Sequence, residues 1–166
     1  MMNLDIKYGL DMQLPDGKLP GFYAQIVKGI ADRAPLFDRH KELLIFDTAE
    51  SYSPVEELLR HYRVPSERIT LLVLPSEGTE HGELYEDYVI ETRAENAFAD
   101  LALTAAFSLQ SLKPSAEPAP ALMQLKEHLI ASFTAGDERL HLIDRQLTEL
   151  AERIAQAYRC TVEWHA

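Results

Sequence analysis

The sequence predicts an α/β fold: a single domain over residues 1–166, with a mixed β-sheet, a parallel βαβ centre, flanking helices and a C-terminal helical hairpin at 121–159. Three observations carry that expectation. Residues 42–47 (ELLIFD) and 69–74 (ITLLVL) are continuously apolar, as strands covered on both faces are. Between them Val55, Leu58, Leu59 and Tyr62 recur at helical spacing behind a start signal, with Ser53 as N-cap, Pro54 at the first helical position and Glu56 reaching back. A strand, a capped helix and a strand within about thirty residues is the pattern of a right-handed crossover. In the C-terminal third, Leu122, Leu125, Leu129 and Phe133 make one helical face. Leu140, Ile143, Leu147, Leu150, Ile154 and Ala157 make a second, with Gly136 and Asp137 punctuating between them.

The remaining elements follow in order. Leu4, Ile6, Tyr8, Leu10, Met12 and Leu14 alternate with polar residues or glycine, which predicts a long outer strand over 3–14 with one wet face. The segment LPDGKLP ends it, because Pro15, Asp16 and Gly17 are the residues a tight turn needs. Phe22, Tyr23, Ile26, Val27 and Ile30 mark a helix that closes near Ala34 and Pro35. YEDYVIET, residues 85–92, has strand composition. Thr92 and Glu95 form a second capping box before AENAFADLALTAAFSLQSL, which predicts a buried helix over 94–112. KPSAEPAP is a short proline-rich connector, and CTVEWH, residues 160–165, predicts a last strand.

Composition narrows the functional classes. The chain has 16 Lys and Arg against 27 Asp and Glu, a formal net charge of -11, with 46% hydrophobic residues. Such a surface repels polyanions, so neither nucleic acid nor an anionic membrane is an expected partner, whereas a basic protein fits. Cys160 is the only cysteine, which excludes an internal disulfide framework and reads as a buried filler. With no basic leader, no apolar signal core and no bilayer-length apolar run, a cytoplasmic protein is expected. The heptad-like stripe at Leu140–Ala157 is where a homodimer would zip through the C-terminal helices, although packing within the chain is favoured.

Candidate chemistry centres on two segments. FDTAES carries the letters of a GTPase switch, but the chain has no phosphate-cradling G-x-x-x-x-G-K-[ST] loop. Asp47 ends an apolar strand, and a local role accepting backbone N–H groups is the plainer reading. If the two strands of a βαβ unit are parallel, Asp47 and the segment PSEGTEHGELYED leave the sheet at one edge, where open α/β sheets bind ligands.

The favoured function on these grounds is non-catalytic: an acidic binding or regulatory protein, of the inhibitor or immunity type, that docks a basic macromolecular partner through Glu77, Glu80, Glu83, Glu86 and Asp87, with no cofactor. The alternative is a metal-dependent hydrolase acting on a phosphate ester. In it Asp47 and Glu77 would hold Mg or Mn and His81 would act as catalytic base.

Overall fold

The computed structural model describes residues 4–17 and 20–166. Asn3, where the first strand is expected to begin, and Lys18 and Leu19 of the expected turn lie outside the described residues. The chain divides into two compact units. One comprises Ile6–Leu71 with Glu91–Glu95; the other comprises Leu72–Ile90 and Asn96–Ala166 with the described residues before Ile6.

The first unit contains β1 (Ile6–Met12), α1 (Pro20–Arg33), β2 (Asp38–His40), β3 (Leu43–Phe46), α2 (Tyr52–His61) and most of β4 (Ser66–Leu74). Its strands lie in the order β2-β3-β1-β4. β1 pairs antiparallel with β3, Leu10 opposite Leu44. It also pairs antiparallel with β4, since the Gln13 N–H donates to the Pro65 carbonyl at 2.8 Å while Val73 donates to Asp5 at 2.8 Å.

The parallel βαβ centre expected from the sequence is therefore absent. β3 and β4 run the same way, but β1 lies between them and the sheets are antiparallel throughout. A continuously apolar strand reports cover on both faces and carries no information on the direction of its neighbour. β1 is accordingly an interior strand, with Gly9 buried and Lys7 and Asp11 only half exposed on the face expected to be wet. Its other face sends Leu10 and Met12 into a core with Ile26, Ile30, Phe46, Val55 and Leu59. The helix expected behind Ser53 is real but starts two residues early: a short 3-10 segment Ala49–Ser51 leads into Tyr52, and Ser51 is the N-cap.

The second unit adds β5 (Glu80–His81), α3 (Tyr85–Tyr88), β6 (Val89–Glu91), β7 (Ala97–Asp100), β8 (Thr104–Gln110), α4 (Pro118–Leu125), β9 (Leu129–Ala135), β10 (Glu138–Asp144), α5 (Thr148–Ala157) and β11 (Thr161–Trp164). A five-stranded sheet runs β11-β8-β10-β9-β5. Phe107 of β8, Ile143 of β10 and Leu129 of β9 pack with Leu125 of α4 and with Ala151 and Ile154 of α5. Cys160 is buried beside Ala121 and Ala155, in the filler role expected of it. Among the described residues no helix is long and apolar enough to cross a membrane.

Three further expectations are corrected here. The segment 85–92 is a single helical turn before it becomes strand. The helix expected over 94–112 is instead β7 and β8 joined by a tight turn, and Glu95, assigned to a capping box, sits at φ 67° where no helix can pass. Its run of alanines suits a helix locally, yet being apolar all round it also suits strands buried on both faces, and long-range pairing prevails over propensity.

The C-terminal helical hairpin is replaced by a β-hairpin, β9–β10, followed by α5. Gly136 and Asp137 form its two-residue loop, with Gly136 at φ 61° as the first central residue of a type II′ turn requires.

The interior position of β1 has a measurable consequence. Leu10→Ala should lower the unfolding free energy in urea by about 2–5 kcal/mol, the range for a fully buried leucine. A loss below about 1 kcal/mol would fit an outer strand instead.

Candidate functional site

The acidic segment is held from beneath by its own unit. Glu80 and His81 pair with Ser132 and Ala131 of β9, and the Gly82 N–H donates to the Ile130 carbonyl at 2.9 Å. The chain passes so close to β9 at this point that a Cβ on Gly82 would lie 2.1 Å from the Leu129 carbonyl oxygen. Tyr85 is buried, and the His81 ring stacks on it at 3.6 Å between centroids. Tyr88 donates to the Asp144 carboxylate, a bond to an anion that raises its phenol above the usual value. From β10, Arg139 donates to the Gly78 carbonyl at 3.1 Å and to Glu80 at 2.9 Å. Glu77, Glu83, Glu86 and Asp87 are exposed, with no cation against them among the described residues.

Asp47 belongs to the other unit. Its carboxylate meets the Lys7 ammonium at 2.8 Å, and among the described residues it accepts no backbone N–H of the following loop. Glu77 and His81 lie in the second unit. The expectation that gathered Asp47 with them took β3 and β4 as adjacent parallel strands, and β1 lies between the two.

A second set of residues, not anticipated from the sequence, lines a cleft beside α4. His141, Arg139 and Ser132 form its floor, with Ala119, Leu122 and Met123 of α4 along one side and Glu80 along the other. Cavities of about 390 and 320 Å³ open there, sharing His141, Arg139 and Leu122. Met123 is 80% exposed, an apolar side chain left in solvent. His141 is only 4% exposed, and its Nδ1 is 2.7 Å from the Ser132 hydroxyl. Its Nε2 has no partner among the described residues and is not an enclosed atom, so it opens on the cleft.

Burial, reinforced by the Arg139 guanidinium and opposed by Glu80, pushes His141 down to about 4. The imidazole is thus neutral at pH 7, able to donate at one nitrogen and accept at the other. Among the described residues no carboxylate is hydrogen-bonded to it, and so weak a base is a poor activator of the Ser132 hydroxyl. The signal for these residues was the alternation ERLHLID, in which Arg139, His141 and Ile143 share one face of a strand. Reading the segment as helix concealed it.

Compared with known proteins, the chain matches no family model, no curated protein and no solved structure.

Two outcomes test this geometry. Gly82→Ala should destabilise the protein by at least about 2 kcal/mol in chemical denaturation, because the clash is with backbone that has no rotamer to yield. For His141, a folded-state value below the unfolded 6.5 means that the unfolded chain takes up the proton first. Its contribution is present in full above about pH 6.5 and declines towards about pH 4, by up to about 3 kcal/mol. His141→Asn should flatten that part of the stability-versus-pH curve by about one proton; an unchanged slope would mean another group carries it.

Proposed function

We propose that this chain is a non-catalytic binding or regulatory protein that docks a basic macromolecular partner through the acidic segment 77–87. The observation that supports this reading is the pairing pattern of its carboxylates. Arg139 neutralises Glu80 and ties the segment down, while Glu77, Glu83, Glu86 and Asp87 stay exposed and uncompensated. Charges held on an anchored scaffold bind at a smaller ordering cost than charges on a flexible loop. With a net charge of -11 behind them, they steer a cationic partner in from a distance.

Glu83, Glu86 and Asp87 are the recognition charges, Glu77 a peripheral one, and Glu80 a positioning residue acting through Arg139. The stacked His81 and buried Tyr85 hold the turn that displays them.

The test is pull-down from the source lysate with wild type and with the double variant Glu83→Lys/Glu86→Lys, at low and high salt. The wild type should retain a basic protein that is released as ionic strength rises, and the double variant should retain at least tenfold less. Equal recovery by both chains would remove the acidic segment from the binding role.

A further inference from the structure

We propose that Glu138, Glu163 and His165 form a binding site for a divalent first-row transition ion, with Zn²⁺ as its redox-silent representative. The site lies wholly in the second unit, away from the acidic segment, and is independent of the docking role.

β11 is an edge strand paired to β8, Glu163 standing opposite Ser108. The His165 N–H donates to the Ala106 carbonyl at 2.9 Å, extending the pairing so that residues 163 and 165 share a face. Glu138 enters from the start of β10, on the far side of β8. One ligand atom from each of the three side chains lies within 4.8 Å of the other two. The His165 Nε2 and Glu138 Oε2 are 3.3 Å apart. Two donors of one tetrahedral ion, each about 2.0–2.2 Å from the metal, are separated by roughly 3.3–3.6 Å.

The hydrogen bonding leaves one atom of this group unsatisfied. The Gln110 amide donates to the Ser108 hydroxyl at 2.9 Å and to Glu163 Oε2 at 3.1 Å. The Ser108 oxygen is in turn 2.9 Å from His165 Nε2. Glu138 Oε2 is closed off from solvent, and no donor is aligned on it. An enclosed carboxylate oxygen facing an imidazole nitrogen with no aligned hydrogen between them calls for a cation at that point. One imidazole and two carboxylates, with no thiolate, suit zinc, manganese or iron rather than a soft ion. The Gln110 amide fixes the Glu163 carboxylate as an outer-sphere partner would. Glu163 is exposed on the edge strand, which leaves the group open to solvent from that side. A bound ion would fasten the edge strand β11 to β10 across β8.

The competing occupant is a proton shared by Glu138 and His165, and titration with metal separates the two. Tag-free chain, stripped with chelator and dialysed at pH 7.5, is titrated with ZnCl₂ in a calorimeter. One saturable site per chain is expected, with the melting temperature rising roughly 5–10 °C at a hundredfold excess over Kd. His165→Ala and Glu138→Gln should each weaken binding at least tenfold, whereas Glu83→Gln in the acidic segment should bind as wild type does. Glu163→Gln, on the exposed edge, should show the same loss with an unaltered circular dichroism spectrum, and it decides the matter if either inner variant fails to fold. No saturable site, or full affinity retained in Glu163→Gln, would overturn the assignment.

Discussion

The register of the β9–β10 hairpin is the constraint on which both polar sites of the second unit depend. β10 is bonded on both edges, to β8 through Ile143 opposite Ala105 and to β9 through His141 opposite Ser132. Because side chains alternate, that register sends Arg139 and His141 to the face beside α4 and Glu138, Leu140 and Leu142 to the other. A slip of one residue would bury Arg139 and Glu138 in the wrong environments and expose Leu140 and Leu142, which are fully buried. Gly136 fixes the choice, since a two-residue loop of this hand needs a left-handed first position.

The same register links stability to recognition. Arg139 touches Thr134 on the neighbouring strand, the Gly78 carbonyl and Glu80, so one guanidinium stitches β10, β9 and the start of the acidic segment together. Its charge also helps hold the His141 imidazole neutral. The cleft therefore offers hydrogen bonding without a histidine charge, while Glu77, Glu83, Glu86 and Asp87 stand exposed. Neither feature needs a nucleophile, and the Ser132–His141 pair lacks the orienting carboxylate and the basicity that a hydrolytic centre needs.

How far the sequence discloses this arrangement depends on the kind of signal. Local signals translate directly: the helix around Ile26 and Ile30, the helix around Val55 and Leu59, the strand at 161–164 and the burial of Cys160 all follow from periodicity and composition. Strand direction and neighbour choice do not, because burial on both faces looks alike in parallel and antiparallel sheets. The apolar stretch 97–110 and Leu129, Leu140 and Ile143 also fit helical spacing by chance, a coincidence that hides β7, β8, β9 and β10. The Gly136–Asp137 pair was the available corrective, for glycine followed by aspartate between apolar segments marks a hairpin as readily as a helix stop. The exposed carboxylates of 77–87 were visible from composition alone, whereas His141 and the Glu138, Glu163 and His165 group required knowledge of which strands lie side by side.

The distribution of charge within the second unit is what the proposed docking role draws on. An acidic protein needing only solubility can scatter its carboxylates on loops of any stiffness. Here the acidic segment is pressed against β9 closely enough to require Gly82 and is locked by the buried Tyr85, so its backbone is specified by packing. Fixing the backbone that carries Glu77, Glu83, Glu86 and Asp87 limits how far these carboxylates can spread, a freedom that random surface acidity keeps. For the proposed docking role, a cationic surface would meet a segment whose ordering has already been done, with only desolvation and side-chain freezing left to offset.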